Sequence, residues 1–398
     1  MTDASSDSVT VLFGAFDRHN FGDMIFAHVV ARMLHGRRLR FAGLAECDLR
    51  AYGGHRVESI STLASTWSGS AVDIIHVGGE LLTCDAWQAA VMLSSAERAK
   101  SIIAEQAAWL AAPIEWARAH VGLPARAPYV LSRALFPQAR RIVFNAVGGV
   151  DLDSREVPMR TEVLHALRSA QDITVRDAIT RRSLAAAGVT ARLLPDPAVM
   201  VATLFGEVIR DRAARGPVSA IGADCPNGYI AMQFSADFGD DRTLDEIAAQ
   251  LDRAAASHGL GVALFAAGIA PWHDDLRIYE RIRQRMRSPR VHIMASPDIW
   301  DICALIATSR LYCGSGLHGR IVAAAFAVPR VNVRHPTRTT SRSKQSAFAR
   351  TWEHPDMPVE VDLGRIRQGI DDALKIQASR LQGIASSLVD AYRAGFQH

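Results

Sequence analysis

Cysteine is scarce in this chain of 398 residues, and no C-x-x-C pair occurs. Such a sparse, odd set excludes a disulfide framework and shows no Cys/His spacing typical of a zinc site. It is typical of a protein from a reducing compartment. The five cysteines are Cys47, Cys84, Cys225, Cys303 and Cys313.

Long apolar runs and an excess of one charge are also missing. No uninterrupted apolar stretch reaches the about 18 residues that a membrane-spanning helix needs, and the polar start MTDASSDSVT lacks the features of a secretory signal. The 45 basic and 41 acidic residues leave a net charge of +4, which is too small to indicate a nucleic-acid partner. We therefore expect a cytoplasmic protein with no membrane span, no nucleic acid and no metal cluster, and a requirement for loosely held Mg²⁺ is left open.

Short apolar runs that end in glycine or a turn residue alternate with helical periodicity along the whole chain. This alternation predicts βαβ units with mostly parallel sheets. The first series of predicted strands is Val9–Ala15, Val72–Val77, Arg141–Val147, Ile173–Val175 and Ala191–Leu194. The second series is Tyr229–Phe234, Val262–Ala266, Val291–Met294, Leu311–Cys313 and Arg330–Val333.

Two such series predict an α/β protein of two Rossmann-like domains that face a central cleft. We place the N-terminal domain at residues 1–205 and the C-terminal domain at residues 206–398, with the junction in the charge-rich stretch Gly206–Gly216. The helical segment Ile366–Ala394 is expected to pack back towards that junction. A length of 398 residues agrees with two domains.

A mostly helical insertion near residues 86–120 interrupts the first series, and Pro113 is expected to kink or break it. Trp109 and Trp116 lie seven residues apart and would share one face of a continuous helix. Core packing or a dimer contact is the simpler interpretation of these side chains. A helix that binds an acceptor or a membrane surface is the alternative.

Loops at the carboxyl ends of the strands carry the ligand sites of open α/β sheets, and the first such loop contains Asn20, Gly22 and Asp23. Gly22 permits close approach of another group to the backbone. Asp23 is positioned to cap the following helix or to contact a sugar hydroxyl. A plain helix start explains the loop equally well.

The second loop pairs Gly78 with Gly79 after a buried strand and continues with Glu80. Paired glycines let a ligand or another stretch of backbone come close, although a tight turn also accounts for them. Glu80 is the one carboxylate there and could accept hydrogen bonds from substrate hydroxyls.

The third loop follows the strand that ends at Val175 and begins with Arg176 and Asp177. A guanidinium at this place suits bidentate binding of a carboxylate or phosphate. A structural ion pair of Arg176 with Asp177 or Asp196 is the alternative.

The most informative loop is Gly314-Ser315-Gly316, which leads from a strand into a helix rich in small residues. His318 stands at the start of that helix, where the positive end of the dipole favours a neutral imidazole. A neutral imidazole can act as a base near neutral pH.

A basic loop follows the last strand, and it is either solvated surface or a clamp for a polyanionic small molecule. Its cationic residues are Arg334, His335, Arg338, Arg342 and Lys344.

Five short motifs occur in order between about residue 9 and about residue 350: N-x-G-D, G-G-x-L-L, V-R-D with a helix ending in G-V, a D-P step, and L-H-G leading to V-P. Together they resemble the polysaccharide pyruvyl transferase family. The resemblance implies a fold similar to the two-domain glycosyltransferase-B arrangement. It also implies transfer of a pyruvyl group from phosphoenolpyruvate onto two hydroxyls of a sugar or glycan acceptor, forming a cyclic ketal without a cofactor.

By this resemblance, His318 matches the essential histidine of the family, Arg176 lies at its V-R-D position, and Lys344 is similar to a family lysine after the last strand. Many members carry R-L-H where this chain has Gly316, which removes a guanidinium expected to contact phosphoenolpyruvate. Arg320, one helical turn later, is expected to supply that charge instead.

The implied reaction requires cations for the donor and a pair of acid and base groups. The expected donor-binding groups are Arg176, Arg320, Lys344 and the amides around Ser315 and Gly316. His318 is the first candidate for one proton-transfer role, and Asp17, Asp23 or Glu80 is the candidate for the other. Asn20, Gly78 and Gly79 are expected to contact substrate through their loops.

Two other functions are compatible with the sequence. The first is a glycosyltransferase that uses a nucleotide sugar, although no glutamate for the nucleotide ribose occurs between Glu280 and Glu353. The second is a carbohydrate-binding relative without activity, which Gly316 favours. A further departure from the family pattern is Glu80, which stands where the family usually has a third glycine. The acceptor, a homo-oligomer and peripheral association with a membrane are left open.

Overall fold

The computed structural model describes residues 9–68, 71–337 and 342–397, and it divides into two compact units. The first unit comprises the chain up to His19, Asp23–Pro197 and the stretch from Tyr392 onward. The second unit comprises Asn20–Gly22 and Ala198–Ala391. Its main segment begins eight residues before the predicted start at residue 206. The stretch Gly206–Gly216 is largely helical, since it continues a helix that begins at Val201.

Eight strands of the described chain form the sheet of the first unit. They are β1 (Val9–Phe13), β2 (Arg38–Gly43), β3 (Cys47–Asp48), β4 (Arg56–Ser59), β5 (Val72–His76), β6 (Ala139–Val147), β7 (Asp172–Val175) and β8 (Arg192–Leu193). Their order is β3-β4-β2-β1-β5-β6-β7-β8, with β3 and β4 antiparallel and the other pairs parallel. The five strands predicted from the first series are confirmed to within two residues at each end.

The helices of this unit are α1 (Phe21–Met33), whose first two residues belong to the second unit, α2 (Ile60–Thr66), α3 (Ala86–Leu93), α4 (Ala96–Ala104), α5 (Gln106–Ala111), α6 (Pro113–Val121), α7 (Val157–Arg168) and α8 (Ala178–Ala186). The predicted insertion therefore consists of α3 to α6, and Pro113 begins α6, where its missing N–H costs no helical hydrogen bond. Trp109 and Trp116 are buried in the core with ring centroids 5.5 Å apart, which supports the core-packing interpretation.

Six strands within the described residues form the parallel sheet of the second unit. They are β9 (Tyr229–Gln233), β10 (Gly261–Phe265), β11 (Val291–Met294), β12 (Leu311–Gly314), β13 (Arg330–Val333) and β14 (Glu360–Val361). Their order is β11-β10-β9-β12-β13-β14. The predicted second series is confirmed, and β9 and β12, the central pair, are joined in register Leu311↔Ile230.

The helices of the second unit are α9 (Val201–Ala213), α10 (Gly216–Asp224), α11 (Asp241–His258), α12 (Leu276–Arg285), α13 (Ile299–Thr308), α14 (Leu317–Ala325), α15 (Lys344–Trp352), α16 (Ile366–Leu374) and α17 (Ala378–Gly395). The C-terminal segment predicted as one helical stretch is thus two helices, and the end of α17, from Tyr392, belongs to the first unit. None of the described helices is both long and apolar enough to cross a membrane.

A buried ion cluster joins α14, β13 and the end of α15. Arg320 donates from Nε to Glu353 Oε1 at 2.9 Å and from Nη2 to Glu353 Oε2 at 2.6 Å, and Arg330 donates to Glu353 Oε1 at 3.2 Å. All three side chains are at most 1% exposed. Burial alone would raise the pKa of Glu353, but the two guanidinium groups hold it below its ordinary value.

We expect Glu353→Gln to destabilise the second unit by about 3–5 kcal/mol, because it leaves two buried guanidinium groups without their counter-charge. Urea unfolding followed by tryptophan fluorescence measures the change. Glu280→Gln is the matched control, since Glu280 pairs with Arg283 at the surface with half of both side chains exposed, and its loss should cost less than about 1 kcal/mol. Equal costs for the two variants would contradict the structural role of the cluster.

Candidate active site

A pocket of about 620 Å³ opens in the second unit at the carboxyl ends of its strands. Gln233 ends β9, the loop after β12 supplies Ser315 and Gly316, and Val333 ends β13, and all four residues line the pocket. This is the edge at which parallel α/β sheets bind ligands. The pocket is therefore the candidate active site of this unit.

His318 lines this pocket as the second residue of α14 and is partly exposed. Phe21 meets its ring edge-on at a centroid distance of 6.3 Å, and a Cβ atom at Gly22 would overlap the ring. The close approach expected at Gly22 is thus made by the imidazole of His318. Gly316 forms the N-cap of α14 without a side-chain cap, so the first amides of α14 are available to an anion in the pocket.

Two buried side-chain amides hold the loop that precedes His318. Gln233 Oε1 accepts a hydrogen bond from the Gly316 amide at 3.0 Å. Asn332 donates from Nδ2 to the carbonyls of Gly314 at 2.7 Å and Gly316 at 3.1 Å. A Cβ atom at position 316 would lie 2.5 Å from Gln233 Oε1, so the glycine and the glutamine fit each other. Neither amide was predicted as a site residue, although Gln233 is the polar end of an otherwise apolar strand and Asn332 stands between two valines.

Asp274 is a pocket residue that the sequence interpretation missed. It lies in the loop between β10 and α12, and its carboxylate accepts hydrogen bonds from the Ala267 amide at 2.6 Å and from Gln233 Nε2 at 3.0 and 3.1 Å. Burial raises the pKa of Asp274 to about 7, although these hydrogen bonds act in the opposite direction. Its position after β10 was a signal for it, because the carboxyl ends of parallel strands share one edge.

Some residues of the basic loop lie at the pocket, where a clamp for an anion was one of the two interpretations, and others do not. Lys344 begins α15, is exposed and lines the pocket, and His335 lines it as well. Arg334 instead forms ion pairs at 3.4 Å with Glu360 and Asp362. Arg338 lies outside the described residues.

Arg320 does not reach the pocket, so its expected contact with the donor is not available in this arrangement. Its side chain is fully buried. Besides Glu353, it donates to Asn332 Oδ1 at 3.2 Å and to the carbonyls of Val359 and Pro358 at 3.0 and 2.9 Å. These partners occupy all five of its N–H groups. The charge lost at Gly316 is therefore not replaced by Arg320.

The other predicted site residues belong to the first unit, apart from Asn20. Arg176 is buried and forms ion pairs with Glu80 at 2.5 Å and with Asp196 at 3.0 Å, which agrees with the structural alternative. Glu80 also accepts from the Val150 amide at 3.1 Å. Gly78 and Gly79 have φ of +129° and +99°, a region that favours glycine.

The first loop differs from its prediction in one detail. Because α1 begins at Phe21, Asn20 occupies the cap position, and its Oδ1 accepts from the Gly22 amide at 3.2 Å. Asp23 is not the cap; it lies inside the first turn and pairs with Arg18 at 3.4 Å. Asn20 lines the pocket of the second unit. Asp17 is buried, and its carboxylate accepts from Tyr129 at 2.8 Å and from the Leu44 amide at 2.6 Å.

Comparison with solved structures shows the fold. The Staphylococcus aureus MnaA structure with UDP matches with a TM-score of 0.54 at 9% identity, covering 96% of this chain and 91% of that one. The UDP-GlcNAc 2-epimerase of Methanocaldococcus jannaschii, in complex with UDP-GlcNAc and UDP, matches with 0.51 at 8%, covering 98% and 100%. The α,α-trehalose 6-phosphate synthase of Burkholderia multivorans matches with 0.50 at 14%, covering 98% and 95%. The chain therefore has an α/β fold of the glycosyltransferase-B type.

No curated protein sequence matches this chain significantly. Residues 20–336, in contrast, match the sequence profile of a family described as polysaccharide pyruvyl transferase. This range covers most of the chain and includes the loop that carries His318. The resemblance drawn from the five motifs is thus confirmed, and the chain belongs to the polysaccharide pyruvyl transferase family.

Proposed function

We propose that this protein transfers a pyruvyl group from phosphoenolpyruvate to two hydroxyls of a sugar or glycan acceptor, forming a cyclic ketal. Membership of the family makes the chain a transferase. The observation that carries the specific proposal is that the His318 imidazole and the Asp274 carboxyl line one pocket. Two groups that can exchange protons near neutral pH are what addition of a hydroxyl to an enol ester requires.

Asp274 suits the role of the acid in this reaction. A carboxyl with a pKa of about 7 keeps a protonated fraction at neutral pH, as catalytic acids in apolar settings do. Its proton would go to the methylene carbon of phosphoenolpyruvate, and positive charge would develop on the neighbouring carbon. A neutral Asp274 also repels the anionic donor less than a carboxylate would.

His318 suits the role of the base. It would take the proton from the attacking sugar hydroxyl as the new C–O bond forms, and a second hydroxyl would then displace inorganic phosphate and close the ketal. Each hydroxyl loses one proton; the methylene carbon gains one of them, and the departing phosphate takes the other together with the electron pair of the broken C–O bond. The balance therefore needs no cofactor.

Recognition of the donor would depend on Lys344 and the start of α14. Lys344 supplies a permanent positive charge at the pocket, and the uncapped amides after Gly316 supply hydrogen-bond donors and the positive end of the helix dipole. Among the described lining residues there is no arginine. A compact anion such as phosphoenolpyruvate suits one lysine and one helix start better than an extended diphosphate does.

A nucleotide-sugar transferase is the second candidate, and one observation favours it. Glu360, which lies beyond the interval in which the sequence has no glutamate, lines the pocket from β14. A carboxylate at this edge could accept the hydroxyls of a nucleotide ribose. The choice between the two donors can be made by direct binding.

We expect phosphoenolpyruvate, and not a panel of nucleotide sugars, to raise the melting temperature of the protein. A ligand at 100 times its Kd stabilises the folded state by about 2.7 kcal/mol, which corresponds to a shift of roughly 5–10 °C for a unit of this size. Lys344→Met should reduce the shift, whereas Lys375→Met, a change at an exposed lysine paired with Asp372, should not. Stabilisation by a nucleotide sugar alone would favour the second candidate.

We expect His318→Gln to lower the release of phosphate from phosphoenolpyruvate by about 10²–10⁴-fold, measured with whichever sugar acceptor supports the wild-type reaction. The fold should be retained in circular dichroism, since Gln keeps the length and polarity of the side chain. His258→Gln, at a surface histidine bonded to Asp371, is the control and should keep the wild-type rate. A near-normal rate for His318→Gln would remove this residue from the reaction.

We expect kcat/KM to fall as the pH rises through about 7, since an acid with that pKa must be protonated to act. Asp274→Asn should lower the rate and abolish this part of the pH profile. Asp275→Asn should leave the profile unchanged, because Asp275 caps α12 and Asn caps a helix equally well.

The raised pKa of Asp274 can be checked without a sugar acceptor. A folded-state pKa of about 7 means that the folded protein binds this proton more tightly than the unfolded chain. The wild type should therefore lose stability relative to Asp274→Asn as the pH rises from about 4 to about 7. If the stability difference shows the shift but the pH profile of the rate does not change, Asp274 is structural.

A further inference from the structure

Three side chains with different ligand atoms meet at one place in the second unit, within the part of the chain that the structure describes. A carboxylate oxygen of Asp224, the thiol sulfur of Cys225 and a ring nitrogen of His292 all lie within 4.8 Å of one another. Asp224 ends α10, Cys225 follows it, and His292 is the second residue of β11. We propose that this triad is a binding site for a thiophilic divalent cation, with Zn²⁺ as the best fit.

The three kinds of ligand atom favour Zn²⁺ over other divalent cations. Zn²⁺ is bound by cysteine sulfur at about 2.3 Å, by histidine nitrogen at about 2.0–2.1 Å and by carboxylate oxygen at about 2.0–2.2 Å. Mg²⁺ and Ca²⁺ instead require mostly oxygen ligands, and this triad offers one carboxylate. Soft thiolate and imidazole ligands favour zinc and its neighbours in the first transition row.

The three ligand atoms reach the spacing that Zn²⁺ requires through side-chain shifts of about 1 Å. Two donors on one tetrahedral zinc ion lie roughly 3.3–3.6 Å apart at those bond lengths, and His292 Nε2 already lies 2.8 Å from Asp224 Oδ2. The largest possible separation of 4.8 Å must shrink by roughly 1.2–1.5 Å, and the His292 and Asp224 atoms must move apart by about 0.5 Å. The side chains of Asp224 and His292 are 56% and 28% exposed, so both can turn towards an ion.

Cys225 is the fixed member of the triad. It is 3% exposed, its amide donates to the Ile221 carbonyl at 3.1 Å, and its carbonyl accepts from Gly228 at 2.8 Å. A Cβ atom at Gly261 would overlap the thiol sulfur, so this glycine makes room for it. The sulfur position is therefore set by the backbone, as in a preformed metal site.

The charges at the site agree with a divalent cation. Binding converts the thiol to a thiolate, releases its proton to solvent and breaks the hydrogen bond between His292 and Asp224. The thiolate and carboxylate then supply two negative charges, against one guanidinium that acts on Cys225, that of Arg290. Three protein ligands leave a fourth position for water.

The place of the triad in the fold separates the proposed ion from the candidate active site. Cys225 precedes the start of β9 at Tyr229, and His292 follows the start of β11 at Val291. The triad thus lies at the amino ends of these strands, whereas the pocket lies at the carboxyl ends of the sheet. The ion would tie α10 to the edge strand β11 and takes no part in the proposed reaction.

The test is titration of the full-length, untagged, metal-free protein with Co²⁺, followed by displacement with Zn²⁺. We expect one ion per chain and a thiolate-to-cobalt charge-transfer band in the near ultraviolet. Cys225→Ser should abolish the band, and Asp224→Asn and His292→Ala should each weaken binding by at least about 10²-fold, because even loss of a partner behind a ligand costs about 10–100-fold. Zn²⁺ should also raise the melting temperature of the wild type but not that of Cys225→Ser.

The matched control is His258→Ala. His258 Nε2 lies 2.7 Å from Asp371 Oδ1 in a pair like that of His292 and Asp224, but the metal-site geometry is found only for the triad among the described residues. This variant should bind Co²⁺ like the wild type. The proposal is overturned if the wild type shows no band, or if the band survives in Cys225→Ser. If Cys225→Ser does not fold, unchanged affinity in Asp224→Asn, at an exposed position, overturns it equally.

Discussion

The hydrogen bonds of Gln233 and Asn332 to the backbone around Gly316 are the constraint on which the candidate site depends. Both side chains are buried, at 4% and 0% exposure. Gln233 satisfies the Gly316 amide, and a buried backbone group of this kind costs about 1–3 kcal/mol when it is left unpaired. Asp274 decides which way the Gln233 amide points, because its carboxylate accepts from Nε2 and thereby turns Oε1 towards Gly316. One carboxyl group thus controls the direction of the hydrogen bonds that shape the loop before His318.

The same contacts explain why a glycine at position 316 is compatible with an ordered loop. The space next to its Cα is taken by Gln233 Oε1, and an arginine here would have to displace that amide and break its bond to the loop. The departure from the usual R-L-H pattern is therefore accompanied by a local hydrogen-bond network. The consequence for the pocket is a lower positive charge, which Lys344 carries.

The buried arginines of this protein form internal ion pairs, whereas two of them, Arg176 and Arg320, were predicted to bind a ligand. The planar guanidinium suits a buried carboxylate as well as it suits a phosphate, and Arg176, Arg320 and Arg330 all have such internal partners. Sequence spacing does not distinguish the two uses. Arg320 follows His318 by two residues along α14, yet the helix directs it to Glu353, a residue supplied from the end of α15.

The sequence by itself determined the α/β class, the two strand series, the break at Pro113 and the glycine-rich loop that leads into the helix of His318, because these follow from local periodicity, turn residues and helix starts. The strands β2 and β4 were missed, since charged residues interrupt the apolar ones in both. Only the tertiary structure decided that Asp274, Gln233 and Glu360 reach the pocket and that Arg320 does not. It also brought Cys225 and His292 together, because the amino ends of the parallel strands β9 and β11 lie along one edge of the sheet, and no local pattern records the order of the strands.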